Sequence, residues 1–306
     1  MDFICKNKYT LYGVAAILLW SCLVALLRDI SELFSPIGGA AAMYSVSAIF
    51  LILVMGVPKF SGFSKRYLVI GTLLFVSYEI CLALSIGMAN SRHQAMEMAV
   101  INYLWPTLTI LLSIIIGRKK VSYWVYPSMI IAFLGVAWCI TGDQEMSVDT
   151  LVTNFADNPA TYLMALAAAF IWAIYCVVTQ KLSNGKNAIT LFFTVTAMSL
   201  WAQYGFSNEA PLTFSLRSSI TLLLAGVVVG SGYALWNQAI IGGNLMLLGT
   251  LSYFTPVFST IISALYLSIT LSASFWQGVV LVTVGSLICY FVTREKPKQP
   301  QIASAT

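Results

Sequence analysis

The chain has 306 residues, of which 59% are apolar and only 9% charged, against about 25% charged residues in soluble globular domains. That composition cannot supply the polar surface of a water-soluble fold. The net charge of +5 is not arranged as a basic face with interleaved stacking aromatics, which excludes a nucleic-acid-binding protein.

Apolar blocks between charged or Gly/Pro/Asn-rich breaks predict an all-α membrane protein of ten transmembrane helices. They lie near 10–27, 39–57, 67–89, 92–116, 121–140, 160–180, 187–205, 218–240, 244–268 and 273–293, each long enough to cross about 30 Å of hydrocarbon. The first follows Lys6 and Lys8 but lacks a small-x-small cleavage site, so it reads as an uncleaved helix rather than a signal peptide. Basic residues fix the orientation, because Lys- and Arg-rich loops stay on the cytoplasmic side. With the N-terminus inside, 13 of the 16 Lys and Arg residues are cytoplasmic, and only Arg28, Arg92 and Arg217 lie outside. The stretch 141–159 carries Asp143, Glu145, Asp149 and Asp157 without a basic residue and reads as an acidic external loop. Both termini are therefore expected in the cytoplasm of a cell with this protein in its inner membrane, with 294–306 as a cytoplasmic tail.

Along the spans, the first unusual residue is Trp20, inside a helix although bilayer tryptophans gather at interfaces. Tyr78 and Glu79 follow at the centre of the third helix, where a carboxylate is costly and ionisable groups usually line a cavity. His93 and Glu97 share one face of the fourth helix beside Arg92, near its outer end, where solvated or snorkelling groups explain them. Farther along, Pro106 lacks an N–H and so frees the carbonyl of Asn102, and Pro256 does the same for Ser252. Freed carbonyls at membrane depth persist where they line a cavity, which makes Asn102, Tyr103, Ser252 and Tyr253 candidate binding residues and the two prolines candidate hinges. Trp172 with Tyr175, and Trp236 with Asn237, add ring faces and hydrogen-bond groups. The six cysteines show neither metal-ligand nor CxxC spacing. With one histidine and no second ligand beside it, no metal and no cofactor are expected. No GxSxG, HExxH or P-loop pattern occurs, so neither an enzyme nor an ATP-driven pump is indicated.

The chain also repeats itself. NYLWPTLTILLSIII from Asn102 resembles SYFTPVFSTIISALY from Ser252 at an offset of 150, and Ser122/Ser272 and Gly135/Gly285 keep that offset. LLWSCLVAL around Trp20 resembles FIWAIYCVV around Trp172 at an offset of 152. Five helices per half, an odd number, would invert the second unit, giving repeats over 10–140 and 160–293 like those of many secondary transporters.

The stretches LLWS near Trp20, SPIGGAAAMYS from Ser35, FVSYEICLALSIG from Phe75, HQAMEMAVINYLWPTLTIL from His93, SYFTPV from Ser252 and SFWQG from Ser274 resemble the drug/metabolite transporter superfamily of EamA-type architecture. Within it the likeness is to bacterial aromatic amino acid exporters. The resemblance spans about residues 10–293 and implies a central cavity lined by helices one, three, four, six, eight and nine. The expected cargo is a zwitterionic aromatic amino acid, its ammonium near Glu79 and the Asn102 carbonyl and its ring among Trp20, Trp172 and Tyr78, with no residue evident for the carboxylate. A lipophilic cation is the alternative cargo. One intramembrane Glu is compatible with proton coupling and with facilitated diffusion alike.

Overall fold

A computed structural model describes residues 2–57, 62–117, 123–141, 148–243, 248, 251–252 and 254–293; the candidate Tyr253 lies outside them. Among the described residues it contains thirteen α-helices and no strand, as hydrocarbon requires of a chain that must satisfy its own backbone groups. They are α1 (Asp2–Trp20), α2 (Leu23–Leu33), α3 (Pro36–Met55), α4 (Lys65–Gly87), α5 (Arg92–Asn102), α6 (Trp105–Gly117), α7 (Val125–Thr141), α8 (Val148–Asp157), α9 (Pro159–Leu182), α10 (Ile189–Phe206), α11 (Leu216–Gly242), α12 (Thr255–Tyr266) and α13 (Ala273–Thr293). Among the described residues, five segments are long and apolar enough to cross a membrane: Lys8–Leu33, Pro36–Met55, Lys65–Gly87, Pro159–Leu182 and Leu216–Gly242. Val125–Cys139, Thr255–Tyr266 and Ala273–Cys289 are shorter apolar helices.

Two interruptions fall where the prolines require them. Between α5 and α6 the Leu104 N–H donates to the Ile101 carbonyl (3.1 Å) and Leu108 N–H to the Leu104 carbonyl (3.1 Å). Before α12 the pattern recurs 150 residues on, with Phe254 N–H to Leu251 (3.2 Å) and Phe258 N–H to Phe254 (3.1 Å). Each proline then sits in the first turn of the following helix, where its missing N–H costs nothing. The first span differs from the sequence expectation. It breaks at Ser21–Cys22 and continues as α2 to Leu33, so Arg28, Asp29 and Glu32 are helical. The stretch expected as an acidic loop contains the ten-residue helix α8.

The helices pack in cross-matched pairs. α4 lies along α9 and α1 along α11, while α3 pairs with α10 and α7 with α13. The α7/α13 contact is made by bare backbone. A Cβ on Gly135 would lie 2.6 Å from the Val282 nitrogen, and one on Gly285 would lie 2.6 Å from the Ala132 nitrogen. Backbone cannot yield as a side-chain tip can, so these two glycines set the close approach, as small residues do between membrane helices.

Candidate functional site

The largest buried side chains gather where α1, α4, α9 and α11 meet. Trp172 on α9 is their hub. It stacks on Tyr78 of α4 (centroids 4.4 Å apart, 29°) and on Tyr175 one turn along its own helix (4.8 Å, 19°). It meets Trp20, Trp105 and Tyr233 edge to face at 5.8, 6.3 and 5.5 Å. Trp20 in turn lies 4.8 Å from Trp236 and 5.0 Å from Tyr233. Its indole edge fits against the backbone of Gly232, where a Cβ would stand 3.0 Å from Trp20 Cδ1. Such aromatic pairs contribute about 0.5–1.5 kcal/mol each beyond area burial, and the ring network locks four helices at one depth.

Polar groups are set behind and among these rings. Glu79 is fully buried; its Oε2 accepts a hydrogen bond from the Tyr44 hydroxyl of α3, and its Oε1 has no partner among the described residues. The Tyr233 hydroxyl donates to that of Tyr78 (3.3 Å). Tyr175 donates to Asn237 Oδ1 (3.0 Å), whose Nδ2 donates to Asn187 Oδ1 (3.0 Å), tying α9 and α11 to the turn before α10. These networks hold the cage in register.

One cavity opens among the rings. Trp20, Tyr78, Asn102, Tyr103 and Trp172 line it, with Trp105, Tyr233 and Thr255 and the apolar Leu23, Val24, Leu82 and Ala99. The walls thus come from α1 and α2, α4, the interrupted pair α5/α6, α9, α11 and the start of α12. Free space at the centre is about 30 Å³, room for one or two waters. An amino acid with an aromatic side chain does not fit without movement of the walls.

Of the residues singled out in the sequence, five thus line one cavity. Trp236 packs behind Trp20, Tyr175 and Asn237 belong to the supporting network, and Glu79 sits one residue behind the lining Tyr78. Ser252 is buried. Trp105, Tyr233 and Thr255 were missed. Trp105 adjoins Pro106, Tyr233 precedes Trp236 by one helical turn, and Thr255 matches Trp105 at the repeat offset of 150, so each carried a local signal. His93 and Glu97 lie apart from the cavity, with His93 Nδ1 3.2 Å from Glu97 Oε1 and Tyr162 donating to the other Glu97 oxygen.

Above the cavity, charged groups join α2 and α5 to α12. Glu32 accepts from Arg28 (2.7 Å) and from both Nε and Nη2 of Arg92 (3.0 and 2.6 Å), and Arg92 also donates to the Leu267 carbonyl (2.5 Å). Arg28 reaches the Ala89 carbonyl (2.6 Å), and Tyr266 donates to Asp29 (2.7 Å). Bidentate Arg–carboxylate geometry is directional as well as attractive, so these contacts tie α2, α5 and α12 together at this end.

Residues 159–291 match the EamA-like transporter family. The chain is 46% identical over 291 residues to the aromatic amino acid exporter YddG of Salmonella typhimurium, covering 95% of this chain and 99% of the relative. It is 45% identical to the aromatic amino acid exporter YddG of Escherichia coli, covering 94% and 99% respectively. A solved crystal structure that is 20% identical superposes with a TM-score of 0.67 over 95% of this chain and 100% of that one, a likeness of fold.

Proposed function

The chain belongs to the EamA-like transporter family, and on that footing we propose that it exports aromatic amino acids across a bacterial inner membrane by alternating access. The observation that carries this reading is the cavity walled by Trp20, Tyr78, Trp105, Trp172 and Tyr233 at the junction of the interrupted helices. Flat ring faces suit a flat side chain, and interrupted helices offer carbonyls to an ammonium. With about 30 Å³ at its centre, the site is closed in this conformation, and cargo enters by parting the walls.

Two inverted five-span repeats supply a way to part them. Exchanging the halves turns the pair α4/α9 into α11/α1 and leaves α3/α10 and α7/α13 unchanged, which is the packing that a pseudo-twofold axis in the membrane plane requires. Rocking one half against the other about the close α7/α13 contact would open the cavity to either side in turn. In this reading the chain crosses the membrane ten times and both ends are cytoplasmic. A reporter fused after Thr293 is expected inside and one inserted near Asp149 outside, in keeping with the 13-to-3 division of basic residues. An external C-terminus would overturn the inverted repeat.

Export itself is tested by counterflow. Proteoliposomes holding the purified protein and unlabelled phenylalanine are expected to accumulate labelled phenylalanine transiently, and to do so less with an aliphatic amino acid in its place. A receptor or scaffold would give no counterflow with any aromatic amino acid, and that result would end the proposal.

A further inference from the structure

Resting on the export reading, we infer that the substrate carboxylate is recognised by uncharged donors, the Trp20 indole N–H and the Thr255 hydroxyl, with Asn102 supplying the acceptors for the ammonium. The lining of the cavity contains no Lys, Arg or His among the described residues, so no cation is in place to neutralise an anion there. What the lining does hold is unpaired hydrogen-bonding capacity. Trp20 Nε1, Thr255 Oγ1 and Asn102 Oδ1 are each buried without a hydrogen-bond partner among the described residues, in residues that are 7%, 5% and 6% exposed.

A buried polar atom left unpaired loses its hydration without replacement, which destabilises the fold. Three around one small cavity point to a ligand that pairs them when the walls part. Their chemistry sorts them. The indole N–H can only donate, and the Asn102 oxygen can only accept. Asn102 also offers its main-chain carbonyl, because Pro106 has no N–H to give it. Acceptors therefore lie at the C-terminal end of α5, the negative end of a helix. Donors lie at Trp20 and at the first residue of the twelve-residue α12, the positive end. That division fits a zwitterion bound with its ammonium toward α5 and its carboxylate toward α12, and it explains how a cavity without a basic residue can still prefer an amino acid over a simple amine.

The test is competition in the counterflow assay, comparing phenylalanine with phenylalaninamide, which keeps the ring and the ammonium and lacks only the anionic carboxylate. The wild-type protein is expected to favour the acid by on the order of tenfold, the scale of hydrogen bonds to a charged group. In Thr255→Val combined with Trp20→Phe, both donors are lost while an aromatic ring stays at position 20. Inhibition by the acid is then expected to weaken about tenfold more than inhibition by the amide, so that the preference collapses toward one. The amide serves as the internal check on folding. A wild type that does not distinguish acid from amide, or a double variant that weakens both equally, overturns the carboxylate assignment. A wild type with no counterflow for phenylalanine overturns the export reading instead.

Discussion

Glu79→Gln is expected to lower export by at least about tenfold while the protein still reaches the membrane at its normal level. Glutamine keeps the shape of the side chain and retains an oxygen to accept the Tyr44 hydrogen bond, so the contact between α3 and α4 survives. What disappears is the capacity for negative charge beside the cavity. Glu79 follows the lining Tyr78 directly and is fully buried with Oε1 unpaired. Over a separation on the order of 7 Å at an effective dielectric near 20, a carboxylate attracts an ammonium by about 2 kcal/mol, and about 1.4 kcal/mol is already tenfold. Tyr44→Phe should shift export in the same direction but less, since it removes one hydrogen bond and keeps the carboxyl group. Uptake by inverted vesicles, normalised to protein in the membrane, measures both. Export by Glu79→Gln at the wild-type rate would reduce this residue to a packing contact between two helices.

How much of this was legible beforehand depends on whether the signal is local. Pro106 and Pro256 announced the interruptions, because a missing N–H acts on the carbonyl four residues earlier regardless of what surrounds the helix. Glu79 announced its own burial from its place at the middle of an apolar run. Its partner could not be read, since the Tyr44 hydroxyl arrives from another helix, 35 residues away, and nothing in either segment encodes that meeting. The first span was read too short for the same reason. Arg28, Asp29 and Glu32 looked like the end of a membrane segment, whereas Arg92 and Tyr266 from other helices hold them within a helical turn. Helix α8 is hard to read because acidic residues and a break in hydropathy dominate 141–159, although Val152 and Phe155 lie at helical spacing within it. Mid-span rings were visible as a class. Which of them faced the cavity, and that Trp105 and Tyr233 belonged with Trp20 and Trp172, depended on the rotation of each helix against its neighbours.

Trp172→Ala is expected to cost the protein its preference for aromatic cargo. Trp172 alone contacts Trp20, Tyr78, Trp105, Tyr175 and Tyr233, so its removal unsupports the cavity wall on α1, α4 and α11 together. Truncating a buried Trp to Ala costs about 3–5 kcal/mol in a well-packed core, and detergent-solubilised protein should melt at a lower temperature. Selectivity is the sharper measure, since loss of stability alone lowers transport of every substrate by the same factor. Each ring-on-ring contact contributes about 1 kcal/mol beyond area burial, or several-fold in apparent affinity. Cells overproducing Trp172→Ala are thus expected to lose most of their protection against toxic analogues of phenylalanine and tryptophan, while any protection against small polar amino acids falls by several-fold less. Trp172→Phe, which restores one ring face against Tyr78, should recover part of the difference. Equal loss of aromatic and polar substrates would mean that Trp172 holds the four helices together without touching the cargo, and the preference for flat side chains would then have to come from Trp20 and Trp105 across the cavity.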